Sequence, residues 1–193
     1  SAENNRNTAD NGLIYHTRVP ANAEPPLREL VADWITPNNE FYIRSHAPVP
    51  EIDVGRFRLE VSGMVERPLS LTLAQINAMS NADVVATLTC AGNRRNEHSQ
   101  IKQVKGVPWN EGAIGNARWR GVKLSTVLKR AGLKEGARHV WFEGLDEIER
   151  GDATIPFGAS IPVAKAMLDT DQMPGALVVT KMNEQPLPPD HGF

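Results

Sequence analysis

The stretch Thr87-Leu88-Thr89-Cys90-Ala91-Gly92-Asn93-Arg94-Arg95 concentrates more chemistry than any other part of the chain. A β-branched, apolar run ending at Cys90 can deliver one thiol to the end of a strand. The small Ala91-Gly92 pair then lets the backbone turn close to a ligand. Arg94 and Arg95 follow at once. Two guanidiniums raise the local positive potential and favour the thiolate, the form of cysteine that attacks or ligates. Their forked donors also match a tetrahedral or planar oxyanion. A thiolate beside an oxyanion clamp fits two chemistries, covalent catalysis and a soft-ligand metal centre. A buried structural cysteine with two solvated arginines is a third reading that the residue types alone admit.

Two lesser clusters stand apart from it. In Phe41-Tyr42-Ile43-Arg44-Ser45-His46, Arg44 and His46 point the same way if extended and together can hold an anionic group. In Leu187-Pro188-Pro189-Asp190-His191-Gly192-Phe193, prolines stiffen the approach, Asp190 can orient His191, and Gly192 permits close backbone contact. Exposed loop histidines and a surface turn are the plainer readings of these two. A hydrolase built on Cys90 needs a base, for which His46, His98, His139 and His191 are available, but no protease-type signature surrounds the cysteine. Neither a Walker phosphate loop nor a G-x-G-x-x-G after a strand occurs. Met64, Met79, Met167, Met173 and Met182 read as core filler, while Trp109, Trp119 and Trp141 line a pocket or pack the interior.

The elements that must position these groups belong to an ordinary globular composition. The 193 residues are 40% hydrophobic and 23% charged with a formal net charge of -2, which excludes a coiled coil, a low-complexity chain and a transmembrane bundle. No apolar run of about 18 residues is present, so no membrane span is expected. Lys+Arg 21 against Asp+Glu 23 argues against nucleic acid as a partner. A single Cys excludes an internal disulfide framework and any multi-thiolate zinc or iron–sulfur site. Ser1 to Asp10 is polar and carries no signal-peptide pattern. From Tyr15 to Pro50, recurring prolines predict an extended, wrapping segment without sustained helix. Alternation at Phe57, Leu59 and Val61 predicts a strand, and Thr72 caps a short helix carrying Leu73, Ile76 and Met79. Val84–Cys90 reads as a strand buried on both sides. After a loop region come a helix Leu124–Ala131 stopped by Gly132, a strand His139–Glu143, a short helix Pro162–Leu168 and a strand Ala176–Met182. The fold class is therefore α+β, with mixed β-sheets, short helices and long loops.

With these residues in view, the chain resembles the molybdenum-cofactor domain of the sulfite oxidase family. The string NAEPPLRELVADWITPNNEFYIRSHAPVP from Asn22 to Pro50 is similar to the start of that domain. TLTCAGNRR, KGVPWNEGAIGNARWRGV, FEGLD, FGASIP and MNEQPLPPDHGF match its later landmarks in order. The resemblance implies that residues 1–21 are an N-terminal extension and 22–193 an incomplete molybdopterin-binding oxidoreductase domain, truncated at its C-terminal end, without the dimerisation domain that follows in the family. It implies a molybdenum–molybdopterin cofactor (Moco), with Cys90 as the protein's thiolate ligand to the metal. Tyr42, Ile43, Arg44, Ser45, His46, Lys105, Asp146 and His191 would contact the cofactor. Arg44 and Arg95 would line the substrate pocket, and Trp109 would form part of its wall. The implied reaction is oxidation of sulfite to sulfate by oxo transfer, with electrons passing to cytochrome c or another haem acceptor. The family's assimilatory nitrate reductases and sulfoxide reductase-like members are the alternatives within the resemblance, and a cofactor-free anion-binding module is the alternative outside it. A homodimer in the full-length protein and a periplasmic location are further expectations, with peroxisome and mitochondrial intermembrane space as other compartments.

Overall fold

A computed structural model describes residues 12–79, 81–170 and 175–192. The expectations made for Ser1 to Asp10 and for Met173 lie outside those residues. Along the chain come β1 (Ile14–Arg18), β2 (Ala21–Glu24), α1 (Leu27–Leu30), β3 (Ile43–Arg44), β4 (Leu59–Val61), β5 (Leu69–Leu71), α2 (Leu73–Asn77) and β6 (Asn81–Thr89). There follow α3 (Arg95–Ile101), β7 (Ile114–Lys123), α4 (Leu124–Ala131), β8 (His139–Arg150), β9 (Ala153–Pro162), α5 (Val163–Ala166), β10 (Leu177–Met182) and β11 (Gln185–Pro186). Short 3-10 turns occupy Asn38–Glu40 and Pro189–His191. The chain divides into two compact units, one formed by the chain up to Ser45 with Thr87–Ala117, the other by His46–Ala86 with Arg118 onward.

In the first unit, β1, β2 and β3 form a three-stranded sheet in that order, with Ile14 opposite Glu24 and Asn22 opposite Arg44. Leu13, Ala23 and Ile43 make its core. The segment expected to wrap without regular structure is thus extended but paired. Its prolines at 20, 25, 26, 37, 48 and 50 all fall outside the three strands, so no ladder bond is lost to a missing N–H.

A four-stranded sheet has the order β11-β10-β7-β6, with residues 81–86 of β6 and 118–123 of β7 in the second unit. β10 runs antiparallel to β7, with Val178 opposite Val122 and Met182 opposite Trp119. Two apolar clusters pack in this unit, one of Leu71, Ile76, Val122 and Val127, the other of Leu124, Leu128 and Ala166. Thr72 caps α2 through a reciprocal box with Gln75, as the Thr-x-x-Gln spacing predicts. The helix Leu124–Ala131 has the expected bounds, and Gly132 ends it at φ 73 with its N–H donated to Leu128 O at 2.9 Å. Pro162 stands just ahead of α5 as its N-cap.

Three expectations need correction. The strand before Cys90 is not buried on both sides: β6 ends the sheet order, its residues alternate between exposed and half-buried, and Val85 and Leu88 are 43% and 46% exposed. A β-branched run marks a strand without marking its depth. The region between Arg95 and Leu124 is not loop alone, since it carries α3 and the ten-residue β7. β7 alternates Gly115, Ala117, Trp119 and Gly121 inward with polar residues outward. Its inward small residues are set by close neighbours: a Cβ on Gly121 would strike the Val178 carbonyl, and one on Gly115 would fall 2.5 Å from the Phe41 ring. Not all methionines and tryptophans are interior either. Met182 is fully buried, but Met64 and Trp141 are 51% and 61% exposed. The fold class stands as expected, a mixture of small sheets and short helices joined by long loops.

Candidate functional site

Cys90 follows the last residue of β6 and is half-buried, and its thiol is free of any disulfide. Its position is held by the backbone: Cys90 N–H donates to Ala113 O at 2.9 Å, and Cys90 O accepts from Asn93 N–H at 2.9 Å. The Sγ itself accepts the Gly92 N–H at 3.4 Å. The chain beyond Cys90 is zipped to the lead-in of β7. Arg94 N–H donates to Asn110 O at 2.7 Å, Asn96 N–H donates to Trp109 O at 2.9 Å, and Asn93 Oδ1 accepts the Ala113 N–H at 3.1 Å. Arg94 sits at φ 63, a left-handed geometry uncommon outside glycine, at the N-cap of α3. That reversal sends the two adjacent arginines apart. Arg94 turns to solvent and pairs with Glu97 at 2.6 Å, whereas Arg95 is half-buried and donates from Nη1 to Val107 O at 2.7 Å. The paired clamp of Arg94 and Arg95 is therefore reduced to one inward arginine.

Two glycines make room for that arginine. A Cβ on Gly92 would lie 2.5–2.7 Å from the Arg95 guanidinium atoms, and one on Gly106 would lie 2.8 Å from Nη1. Glycine at both places lets backbone approach the group closely. Lys105, beside this cradle, is exposed.

Tyr42 and Trp109 also belong to this unit. Tyr42 stacks on Phe41 with ring centroids 5.3 Å apart and meets Trp109 edge-on at 6.3 Å. Burial pushes the Tyr42 phenol above its usual pKa, and negative charge at Cys90 adds to the rise, which marks the phenol and thiol as electrostatic neighbours. Trp109 is fully buried, and its indole Nε1–H has no acceptor among the described residues. Ile43 is a core residue of β3, while Arg44 is half-buried and donates to Asn22 Oδ1 at 3.2 Å and Ser45 O at 2.6 Å. Ser45 is buried and donates its N–H to Ala21 O at 3.1 Å.

Residue-by-residue reading of the sequence missed Glu24. Its side chain is 1% exposed and accepts three donors: His16 Nε2 at 2.6 Å, Asn110 N–H at 2.8 Å and Gly112 N–H at 2.7 Å. His16 in turn packs edge-on against Trp109 at 5.1 Å. The signal lay in a lone acid within the otherwise uncharged run Val19–Leu27.

The remaining expected residues lie in the second unit. His46 is exposed and stacks on Phe157 at 4.6 Å. Asp146 is half-buried in the irregular part of the β8–β9 pairing, over Gly144, where a Cβ would strike its Oδ1. His191 closes the last 3-10 turn; burial pushes its pKa below the usual 6.5, and the Asp190 charge opposes that shift. A histidine that resists protonation when folded costs stability in acid, because below pH 6.5 the unfolded chain takes up the proton first. His191→Gln should accordingly flatten the loss of stability between pH 7.5 and 5.5 in urea melts, and an unchanged acid slope would contradict this.

Residues 46–193 match the model of the oxidoreductase molybdopterin-binding domain. The chain belongs to this family. It is 48% identical over 184 residues to the mitochondrial sulfite oxidase of Macaca fascicularis, covering 94% of this chain and 33% of that protein. The sulfite oxidase of Arabidopsis thaliana is 37% identical over 189 residues, covering 94% and 47%. The NADH nitrate reductase of Solanum lycopersicum is 40% identical over 198 residues, covering 96% and 21%. In structure, the chain is similar to the sulfane dehydrogenase SoxCD from Paracoccus pantotrophus, with a TM-score of 0.73, 26% identity, and coverage of 92% of this chain and 42% of that one. The chain thus spans about a third of the mammalian sulfite oxidases it matches.

Molybdopterin is the cofactor of this family, as expected from the motifs. The residues of the first unit fit such a group. Among the described residues no three His, Cys, Asp or Glu side chains gather to hold a metal. One accessible thiol is what a dithiolene-bound molybdenum needs from a protein. The orphaned Trp109 donor and the glycine-lined Arg95 suit anionic oxygen nearby. Among the described residues no helix is long and apolar enough to cross a membrane.

Proposed function

We propose that this chain is the molybdopterin-binding part, residues 22–193, of an enzyme that oxidises sulfite to sulfate. The observation that carries the reading is one half-buried thiol, Cys90, on the same turn as a guanidinium seated between two glycines. The 48% identity to a sulfite oxidase across nearly the whole chain supports it. When bound, the molybdenum centre supplies two-electron oxo transfer. Cys90 supplies its protein thiolate. In the first unit, Tyr42, Ile43, Arg44, Ser45 and Lys105 would hold the pterin and its phosphate. Arg44 and Arg95 draw in the sulfite dianion and keep its charge compensated as product forms, and Trp109 walls the pocket. Electrons leave to cytochrome c or a similar haem acceptor, from a homodimeric protein in the periplasm; mitochondrial location, stated for the mammalian relatives, is the competing compartment.

The nitrate reductase relative at 40% identity makes nitrate the competing substrate. Turnover of the holoprotein with sulfite and cytochrome c or ferricyanide, set against nitrate with a reductant, separates the two. Sulfite-dependent acceptor reduction is expected. Nitrate turnover without sulfite oxidation would overturn the reading.

A further inference from the structure

A carboxylate with both oxygens buried is costly unless every lone pair finds a donor. Glu24 meets that requirement in an unusual way. Its donors are a histidine ring and two backbone N–H groups, and all three lie at or against the Trp109–Gly112 segment. Oε1 accepts from His16 Nε2 and Asn110 N–H, and Oε2 accepts from Gly112 N–H. Gly112 is needed for this approach, because a Cβ there would fall 2.6 Å from Pro25 O and 3.0 Å from Glu24 Oε2. The same segment carries Trp109 and accepts from the chain after Cys90 at Asn110 O and Trp109 O, and the adjoining Ala113 O accepts the Cys90 N–H.

We infer that Glu24 is a positioning residue for the substrate pocket: its carboxylate, with His16, clamps the Trp109–Gly112 segment and so sets Trp109 against Tyr42 and the Cys90 turn. Glu24 touches no reacting atom in this scheme. It acts through the two amides and through His16 on the indole. The pocket it serves rests on the sulfite-oxidising reading, whereas the clamp itself does not.

Gln has the shape of Glu but replaces one acceptor oxygen with an NH2 that faces a donor, so Glu24→Gln should break the clamp while filling the same space. In the holoprotein, the expected result is hydrogen exchange at the Asn110 and Gly112 amides faster by about 10-fold or more, with amides of α4 unchanged. The Trp109 indole N–H resonance, assigned with Trp109→Phe, should shift. Molybdenum content should hold, and KM for sulfite should rise by about 10-fold with a smaller change in kcat, as expected when a pocket wall is displaced. His16→Gln, which leaves both amide bonds in place, should move the indole resonance alone. Uniformly faster exchange across the protein would reduce Glu24 to a general stabilising residue and overturn the proposal. So would loosened Asn110 and Gly112 amides with an unchanged KM. If Glu24→Gln does not fold, an unmoved indole resonance in His16→Gln overturns it instead. Wild-type protein inactive towards sulfite would sink the functional reading, while the amide and indole measurements would still decide the clamp.

Discussion

Replacing Cys90 by serine is expected to lower sulfite turnover of the holoprotein by at least about 100-fold, the scale at which even outer partners of a metal site act. Serine keeps the size of cysteine but offers a hard, protonated oxygen where a soft thiolate is required. The fold should survive the change. Cys90 is held by main-chain bonds to Ala113 and Asn93, and among the described residues its Sγ accepts a long bond from Gly92 N–H. Unfolding free energy in urea should thus stay within about 1 kcal/mol of wild type. Loss of activity with retained stability is the signature of a ligand, and loss of both would return Cys90 to the structural reading.

Arg95 should control substrate affinity. A charge-assisted hydrogen bond to an anion contributes about 1.5–3 kcal/mol, and about 1.4 kcal/mol is tenfold in affinity. Arg95→Gln should therefore raise the KM for sulfite by about 10- to 150-fold. Gly92→Ala provides a second approach to the same group. Gly92 is not among the residues at positive φ, so alanine can adopt its backbone. Its Cβ would nevertheless lie 2.5 Å from Arg95 Nη2, and the flexible guanidinium must move aside. The KM should rise in the same direction with a melting temperature close to wild type. An unchanged KM in both variants would remove Arg95 from the substrate pocket.

Where the sequence reading succeeded and where it failed have physical causes. Thr72, Leu124–Ala131 and Gly132 were legible because capping and helix termination are local events written in adjacent residues. β7 was not, because its inward positions are Gly115, Ala117 and Gly121, chosen by what crowds them rather than by hydrophobicity. Pairing of β1, β2 and β3 was hidden by prolines that all fall between strands. At the site, the motif around Cys90 marked the thiol as the residue to watch, but adjacency made Arg94 and Arg95 look like a pair. The left-handed turn at Arg94 separates them. Glu24 was invisible for a different reason: its partners Asn110 and Gly112 are backbone amides more than eighty positions away, and no motif encodes a main-chain donor.

The claim on which everything else depends is that Cys90 is the protein's ligand to molybdenum. Molybdenum K-edge X-ray absorption of the wild-type holoprotein and of Cys90→Ser addresses it without reference to turnover. One fewer sulfur neighbour at the metal is expected in the variant. An identical sulfur count in the two proteins would contradict it.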